Sequence, residues 1–323
     1  MVHRDPLVSS WSKDTAKIRP LPSELQEVAK RELGEDPQRI PEDLQALKRW
    51  IEQQPHLRAR TDDQFLIQFL RGCKYSLERA KEKLDLYFAL KSKYPDMFGP
   101  TDIDEPRFRE IYNIGCYTIL PTPLNETGPR IVAFQYHYDP NKFHLEDIYY
   151  PTSAMMELTL LNDPYACVHG IVYVFDFGKI TARHLLQHTP SVCKKVVTFF
   201  EKTLPLRIRG VYCFNVPSVA VQIIKFIISL CSEKIQRKMH IFGHDIEELT
   251  QFVPLKYLPK DFGGENGVCS ELTREYVKGL ELYRDYFKDN AQYGTDEHLR
   301  IGKMFDLEGL YGVGGSFRKI IVD

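Results

Sequence analysis

Residues 204–238 read LPLRIRGVYCFNVPSVAVQIIKFIISLCSEKIQRK, and the rest of the chain has to accommodate them. Within this stretch the polar residues of Val216–Ser232 are Ser218, Gln222, Lys225, Ser229 and Ser232, spaced four, three, four and three apart. That spacing predicts an α-helix with one narrow polar stripe and apolar side chains on every other side. Pro217 suits the first turn, where its missing N–H costs nothing. The segment is too short to cross a bilayer, which takes about 20 apolar residues. Two readings stay open: a core helix, or a cover over an apolar cavity, with Lys225 facing water. The flanks are basic. In a strand over Arg207–Asn215, alternation puts Leu206 and Ile208 on one face and Arg207 and Arg209 on the other. After the helix, Lys234 and Lys238 stand one helical turn apart. Each basic residue near an anionic membrane contributes about 1 kcal/mol, so four contribute roughly 4 kcal/mol of reversible docking energy. The plainer alternative is a solvated charged rim.

Outward from this stretch, strands alternate with helices. His169–Phe177 (HGIVYVFDF) is a short apolar run rich in β-branched and aromatic residues, as expected of a central strand covered on both faces. A helix is expected from Pro190 to about Leu204, a short strand at Met239–Phe242, and an amphipathic helix at about Ser270–Asp289. Ile111–Leu120 and Arg130–Tyr138 read as strands joined by the turn-rich PTPLNETGP, and Leu145–Leu161 as a helix broken at Pro151. This pattern predicts an α/β fold with a mostly parallel sheet. The first hundred residues instead predict a small all-α bundle. Ser23 and Gln26 have capping-box spacing. A second helix runs from Pro41 to Pro55. A third opens at Thr61–Gln64 and stops at Gly72 as a left-handed residue; a fourth is capped by Ser76 and ends at Tyr94-Pro95. The expected division is 1–100 for the bundle, 101–290 for the α/β domain and 291–323 for a C-terminal tail, Gly-rich at its end and extended over the surface.

Composition narrows the function. The chain has 323 residues with 43 Lys+Arg against 44 Asp+Glu, a balance that argues against nucleic acid as the main partner. Its seven cysteines are scattered and never spaced C-x-x-C, which points to a reducing compartment. The opening MVHRDPLVSSW lacks the apolar run of a secretory signal, so a cytoplasmic protein is expected.

Catalytic motifs are weak. Cys73 and Arg79 have the C-x5-R spacing of cysteine phosphatases, but the intervening residues contain no glycine to shape a phosphate loop. His184/His188 and His240/His244 are four apart without the Glu of H-E-x-x-H, so structural histidines are expected rather than a metal site. Gly309, Gly312, Gly314 and Gly315 neither follow a strand nor precede a helix. No cofactor, metal or catalytic residue is expected.

Several segments in order resemble the CRAL-TRIO lipid-binding family, in its α-tocopherol-transfer and retinaldehyde-binding branch. DDQFLIQFLRGCKYSLERAKEKLD is similar to its N-terminal helical signature. TPSVCKKVVTFFEKTLPLRIRGVYCFNVPSVAV is similar to its helix–strand–lid core, and EKIQRKMHIFGHDIEEL with LPKDFGGENG to its end. The likeness spans about residues 25–290, and the closing GSFRK resembles insect members. The resemblance implies a sheet forming the floor of a lipid cavity under a mobile helix. It implies cavity walls at Tyr149, Thr152, Met155, Met156, Ile171, Phe175, Val196, Phe199, Phe200, Leu204, Leu206, Ile208 and Val211, closed by Ala220, Ile223, Ile224 and Ile227. It further implies phosphoinositide contacts at Arg207, Arg209, Lys234 and Lys238. Together these predict a non-enzymatic carrier of one hydrophobic molecule (a tocopherol, retinoid, carotenoid or related lipid) that exchanges it at phosphoinositide-containing membranes. The alternatives are a scaffold with a self-filled core and a cysteine phosphatase.

Overall fold

The computed structural model describes residue 8, residues 11–244 and residues 246–311. Strand β1 (Leu57–Arg58) pairs antiparallel with a late strand, described below. The main sheet has five strands in spatial order β2 (Tyr117–Ile119), β3 (Arg130–Gln135), β4 (Ile171–Asp176), β5 (Ile208–Phe214) and β6 (Met239–Ile241). Only the β2–β3 pairing is antiparallel; β3 through β6 run parallel. The fold is therefore mixed α/β with a mostly parallel sheet, behind an N-terminal helical region. Strand β4 is central, and its alternate residues feed two separate cores. Ile171 and Tyr173 join the large core shared with the N-terminal helices, whereas Val172 and Val174 pack against Leu249, Val253, Leu258 and Phe262. Burial on both faces explains why it reads as a continuous apolar run.

Between β4 and β5 the register slips: Ile171 pairs with Ile208, but Val172 pairs with Gly210. Arg209 is the extra residue of a β-bulge. Simple alternation from Ile208 would have sent Gly210 and Tyr212 to its face. The bulge sends Val211 and Cys213 there instead and leaves Arg209 on the rim.

Several local expectations change. Ile111–Leu120 is not one strand: a helix spans Pro106–Ile114, with Phe108, Ile111 and Tyr112 buried along one stripe, and only Tyr117–Ile119 is extended. Gly115, at φ 73°, ends that helix as a left-handed residue. Pro151 lies inside a continuous helix, Leu145–Asn162, that is buried on nearly all sides. Packing of that kind outweighs one lost backbone hydrogen bond. Ser23 is not a cap; Pro22 precedes the first turn, and the Gln26 side chain donates to Glu35 instead. The last amphipathic helix is two, Cys269–Leu282 and Arg284–Asp289, broken at Tyr283.

Gly72 ends the third helix without a left-handed φ; the positive values belong to Lys74 (54°) and Tyr75 (57°). A Cβ on Gly72 would lie 2.3 Å from the Pro205 carbonyl oxygen, so glycine is required there by close approach to the segment that leads through Arg207 into β5. The bundle is further tied to the sheet domain by Lys83, whose ammonium donates to the carbonyls of Glu201, Lys202 and Leu204 at 2.9, 2.9 and 3.0 Å. Burial lowers its pKa to about 8. Inside the bundle, Arg71 and Tyr75 both donate to the buried Glu35 carboxylate.

Residues 291–311 fold back on the rest of the protein. Strand β7 (Gly294–Thr295) pairs with β1, and Arg300 bridges Asp85 and Glu297. Tyr311 then donates to the Lys194 carbonyl on the helix Pro190–Val197. The GVGGSFRKIIVD segment, with Gly312, Gly314 and Gly315, lies outside the described residues.

Candidate ligand cavity and basic cleft

The helix Ser218–Leu230 is the one expected from its stripe of polar residues. Only Ala220 and Ile224 of its thirteen residues are buried, while Val219 is 68 % and Phe226 37 % exposed. Lys225 faces water. A core helix would bury its apolar residues all round; this one shields something beneath it and leaves apolar side chains in solvent above.

Beneath it lies a cavity of about 130 Å³. Tyr149, Phe175, Val196, Phe200, Ile208 and Val211 line it, and Ile224 and Ile227 close it from the helix. The aromatic rings interlock: Phe200 meets Tyr149 and Tyr173 edge-on, with centroids 5.9 and 5.5 Å apart. The other residues named from the resemblance do not reach the cavity. Thr152, Met155, Met156, Ile171, Leu204 and Ala220 are buried but are not among the residues that line it. Met156 sulfur accepts from the Tyr117 hydroxyl at 2.8 Å, and Phe199 stacks on Phe98 at 4.5 Å. Leu206 turns toward the cleft described below, and Ile223 is half-buried at the helix edge.

Sequence reasoning missed other parts of the wall, namely Tyr136, Leu145, Tyr173, Phe177, His188, Val192, Cys193, Val197, Glu201, Cys213, Cys231, Ile235 and Met239. Burial pushes the thiol of Cys193 up to about 11 and those of Cys213 and Cys231 to about 12, so all three are neutral and weakly polar. His188 Nδ1 donates to the His184 carbonyl (2.9 Å) and its Nε2 meets the Tyr136 hydroxyl (3.1 Å), and His184 in turn is held by Thr181 and the Tyr138 carbonyl. The two histidines therefore serve as structural hydrogen-bonding groups rather than paired ligands.

A second concavity, about 600 Å³, opens beside the cavity. Arg207, Arg209, Lys234 and Lys238 all line it, so the four basic residues separated in sequence converge. Lys74, Arg79, Lys83 and Lys202 join them, against two carboxylates, Glu82 and Glu201. The Lys238 ammonium donates to the Ile208 carbonyl at 2.7 Å. Arg207 makes one bond, to the Cys167 carbonyl, and its Nε and Nη1 are buried without a partner. Burial, with Arg209 alongside, lowers the Arg207 pKa to about 10. Burial and the neighbouring cations lower that of Lys238 as well. Arg209 is matched by the Glu32 carboxylate at 3.0 Å, whereas Arg207, Lys234 and Lys238 have no carboxylate partner among the described residues. Cations held this close favour an anion between them.

Cys73 and Arg79 both border this cleft, but burial raises the Cys73 pKa despite Lys83 and Arg79 nearby. A thiol held protonated is a poor nucleophile. The cavity and the cleft share Phe200, Glu201, Ile208 and Ile235 as a common partition. Among the described residues, no helix is long and apolar enough to cross a membrane.

Residues 36–108 match the model of a Pinta-like UBA domain, and residues 124–264 match that of the CRAL/TRIO domain. Clavesin-1 of Rattus norvegicus is 26 % identical over 262 residues, covering 80 % of this chain and 74 % of that protein. The alpha-tocopherol transfer protein-like protein of Mus musculus is 26 % identical over 301 residues, covering 89 % and 85 %. Clavesin-2 of Homo sapiens is 27 % identical over 283 residues, covering 86 % and 84 %. The crystal structure of Sfh5 aligns with 83 % of this chain and 100 % of its own at a TM-score of 0.49 and 13 % identity. With these relatives spread along most of its length, the chain carries a CRAL/TRIO domain over residues 124–264.

Proposed function

We propose that this protein is a non-catalytic carrier, cytoplasmic and transiently membrane-bound, that holds one hydrophobic molecule under the helix Ser218–Leu230. It exchanges that molecule at membranes whose phosphoinositide headgroups sit in the basic cleft. The observation that carries the reading is the sharing of one partition by an apolar cavity and a cationic cleft. In this reading Tyr149, Phe175, Val196, Phe200, Ile208, Val211, Ile224 and Ile227 contact the ligand.

Magnitudes support a gate that opens at a membrane. Small-molecule sites usually enclose about 300–1,000 Å³, against about 130 Å³ here, so a lipid-sized guest requires the helix to move outward. Exposing four or five large apolar side chains to water costs roughly 6–15 kcal/mol. That rivals the whole stability of a domain, about 5–15 kcal/mol. A bilayer covers those side chains and removes most of the cost, while Val219 and Phe226 already offer it an apolar contact. Bound ligand offsets closure at about 0.8 kcal/mol per buried methylene.

Organic extraction of the purified protein followed by mass spectrometry tests the carrier reading. A stoichiometric hydrophobic molecule, recovered directly or after loading from vesicles, is the expected result. Failure to load any lipid would favour a scaffold whose cavity is only a packing defect.

A further inference from the structure

At the Tyr136–His188 end of the cavity wall, the direction of the hydrogen bonds is fixed. The His184 carbonyl can only accept, so the bond at 2.9 Å places a proton on His188 Nδ1. Burial lowers the His188 pKa, leaving the ring neutral and its Nε2 a lone-pair acceptor. The 3.1 Å contact between Nε2 and the Tyr136 hydroxyl is then donated by Tyr136. Its one proton is spent, and its oxygen keeps lone pairs at the cavity wall.

The other polar groups at the cavity differ in what they offer a ligand. The Glu201 carboxylate only accepts, and it already takes the Ser232 N–H. The Tyr149 hydroxyl has no hydrogen-bond partner among the described residues and can donate to any ligand oxygen. It therefore does not tell an alcohol from an ether or an aldehyde. Tyr136 does, because it can pair only with a donor.

We propose that the cavity selects hydrophobic molecules whose polar end is a hydroxyl, which donates to the Tyr136 oxygen, and discriminates against the matching aldehydes, ketones and ethers. Tyr136 is the specificity-determining residue, and His188 is the positioning residue that holds its proton away from the ligand. This inference rests on the carrier reading above. An acceptor-only head leaves the Tyr136 lone pairs facing another acceptor in a dry site, and a mismatch of this kind typically costs about tenfold in affinity.

The test offers the full-length protein equimolar pairs that share a skeleton: retinol with retinaldehyde, α-tocopherol with its methyl ether, and cholesterol with cholestenone. Bound material is extracted and the ratio within each pair is read by mass spectrometry, so total loading cancels. For every skeleton that loads, the hydroxyl form should be enriched about tenfold. In His188→Phe, the Tyr136 hydroxyl is free to turn its proton toward the ligand, and the ratio should fall toward one or invert. Tyr136→Phe removes the oxygen and should also flatten the ratio. Thermal melting of each variant confirms that it is folded. Equal binding of both pair members by the wild type would overturn the inference and leave the carrier reading standing, as would an unchanged ratio in folded His188→Phe. Loading of no skeleton would overturn both.

Discussion

The carboxylate of Glu201 accepts the backbone N–H of Ser232 at 3.1 and 3.2 Å, joining the cavity partition to the chain two residues past the apolar helix. Glu201 lies in the π-helical turn Thr198–Thr203, and Ser232 precedes the short helix Glu233–Gln236 that carries Lys234. The contact thus links both compartments to the C-terminal end of the covering helix. Glu201→Ala should free that end and raise the rate at which a loaded fluorescent lipid leaves for acceptor vesicles. The contact is partly exposed, so a loss of about 1 kcal/mol and about a fivefold faster release are expected. Release at the wild-type rate would show that the helix is held elsewhere.

The basic cleft yields a second expectation. Lys234 is exposed and Lys238 half-buried, and neither forms an ion pair among the described residues. Lys234→Ala with Lys238→Ala should remove about 2 kcal/mol of attraction to an anionic surface, roughly a thirtyfold loss. Sedimentation with phosphoinositide-containing liposomes reads this directly, and the defect should shrink as salt is raised. Ligand capacity in detergent should be unchanged. Equal sedimentation of variant and wild type would argue that the cations are a solvated rim.

The sequence made the sheet, the covering helix and the gathering of basic residues legible because each rests on a local pattern. A continuous apolar run marked β4, and a narrow polar stripe marked Ser218–Leu230. The cavity wall was less legible because it depends on tertiary detail. A single bulged residue, Arg209, moves Val211 and Cys213 onto the cavity face, and no alternation rule detects it. Tyr136 lies just past the end of β3, and His188 was visible only as half of a metal-like spacing. Met155 and Met156 sit on a helix buried nearly all round, where sequence alone does not say which side meets a void.

Acid stability should depend on the returning C-terminal segment. Burial pushes the Glu297 carboxyl up, but hydrogen bonds from Arg300 and the Phe305 N–H outweigh it and bring the pKa down to about 2. A carboxyl whose folded pKa is depressed contributes stability above its unfolded pKa, about 4.3, and loses it as pH falls through the folded value. Contacts of residues 294–305 with β1 and Asp85 should therefore loosen between about pH 4 and pH 2. Hydrogen exchange across that window should show early loss of protection at β7. In Glu297→Gln the loss should already be present at neutral pH, with a flatter acid limb. Identical acid profiles for the two proteins would rule out this carboxyl as the source.

Gly72 provides the sharpest separation between two roles of glycine. Read from sequence, it is a helix stop that needs a left-handed backbone. In the fold its φ is ordinary, and the constraint is the Pro205 carbonyl 2.3 Å from where a Cβ would stand. The neighbour is backbone, in the segment leading into β5, and Lys83 already pins the adjoining carbonyls. It cannot rotate aside as a side chain would. Gly72→Ala should therefore destabilise by about 1–3 kcal/mol through overpacking, although alanine is the better residue in a helix. Gly34, at φ 76° with nothing within 4 Å of where its Cβ would stand, is the matched control for backbone strain without a clash. If Gly72→Ala acts by pushing the bundle from β5, it should also weaken liposome binding by displacing Arg207, whereas Gly34→Ala should lower only the melting temperature. A stable Gly72→Ala protein with normal liposome binding would mean that the bundle and the basic strand can shift apart at little cost.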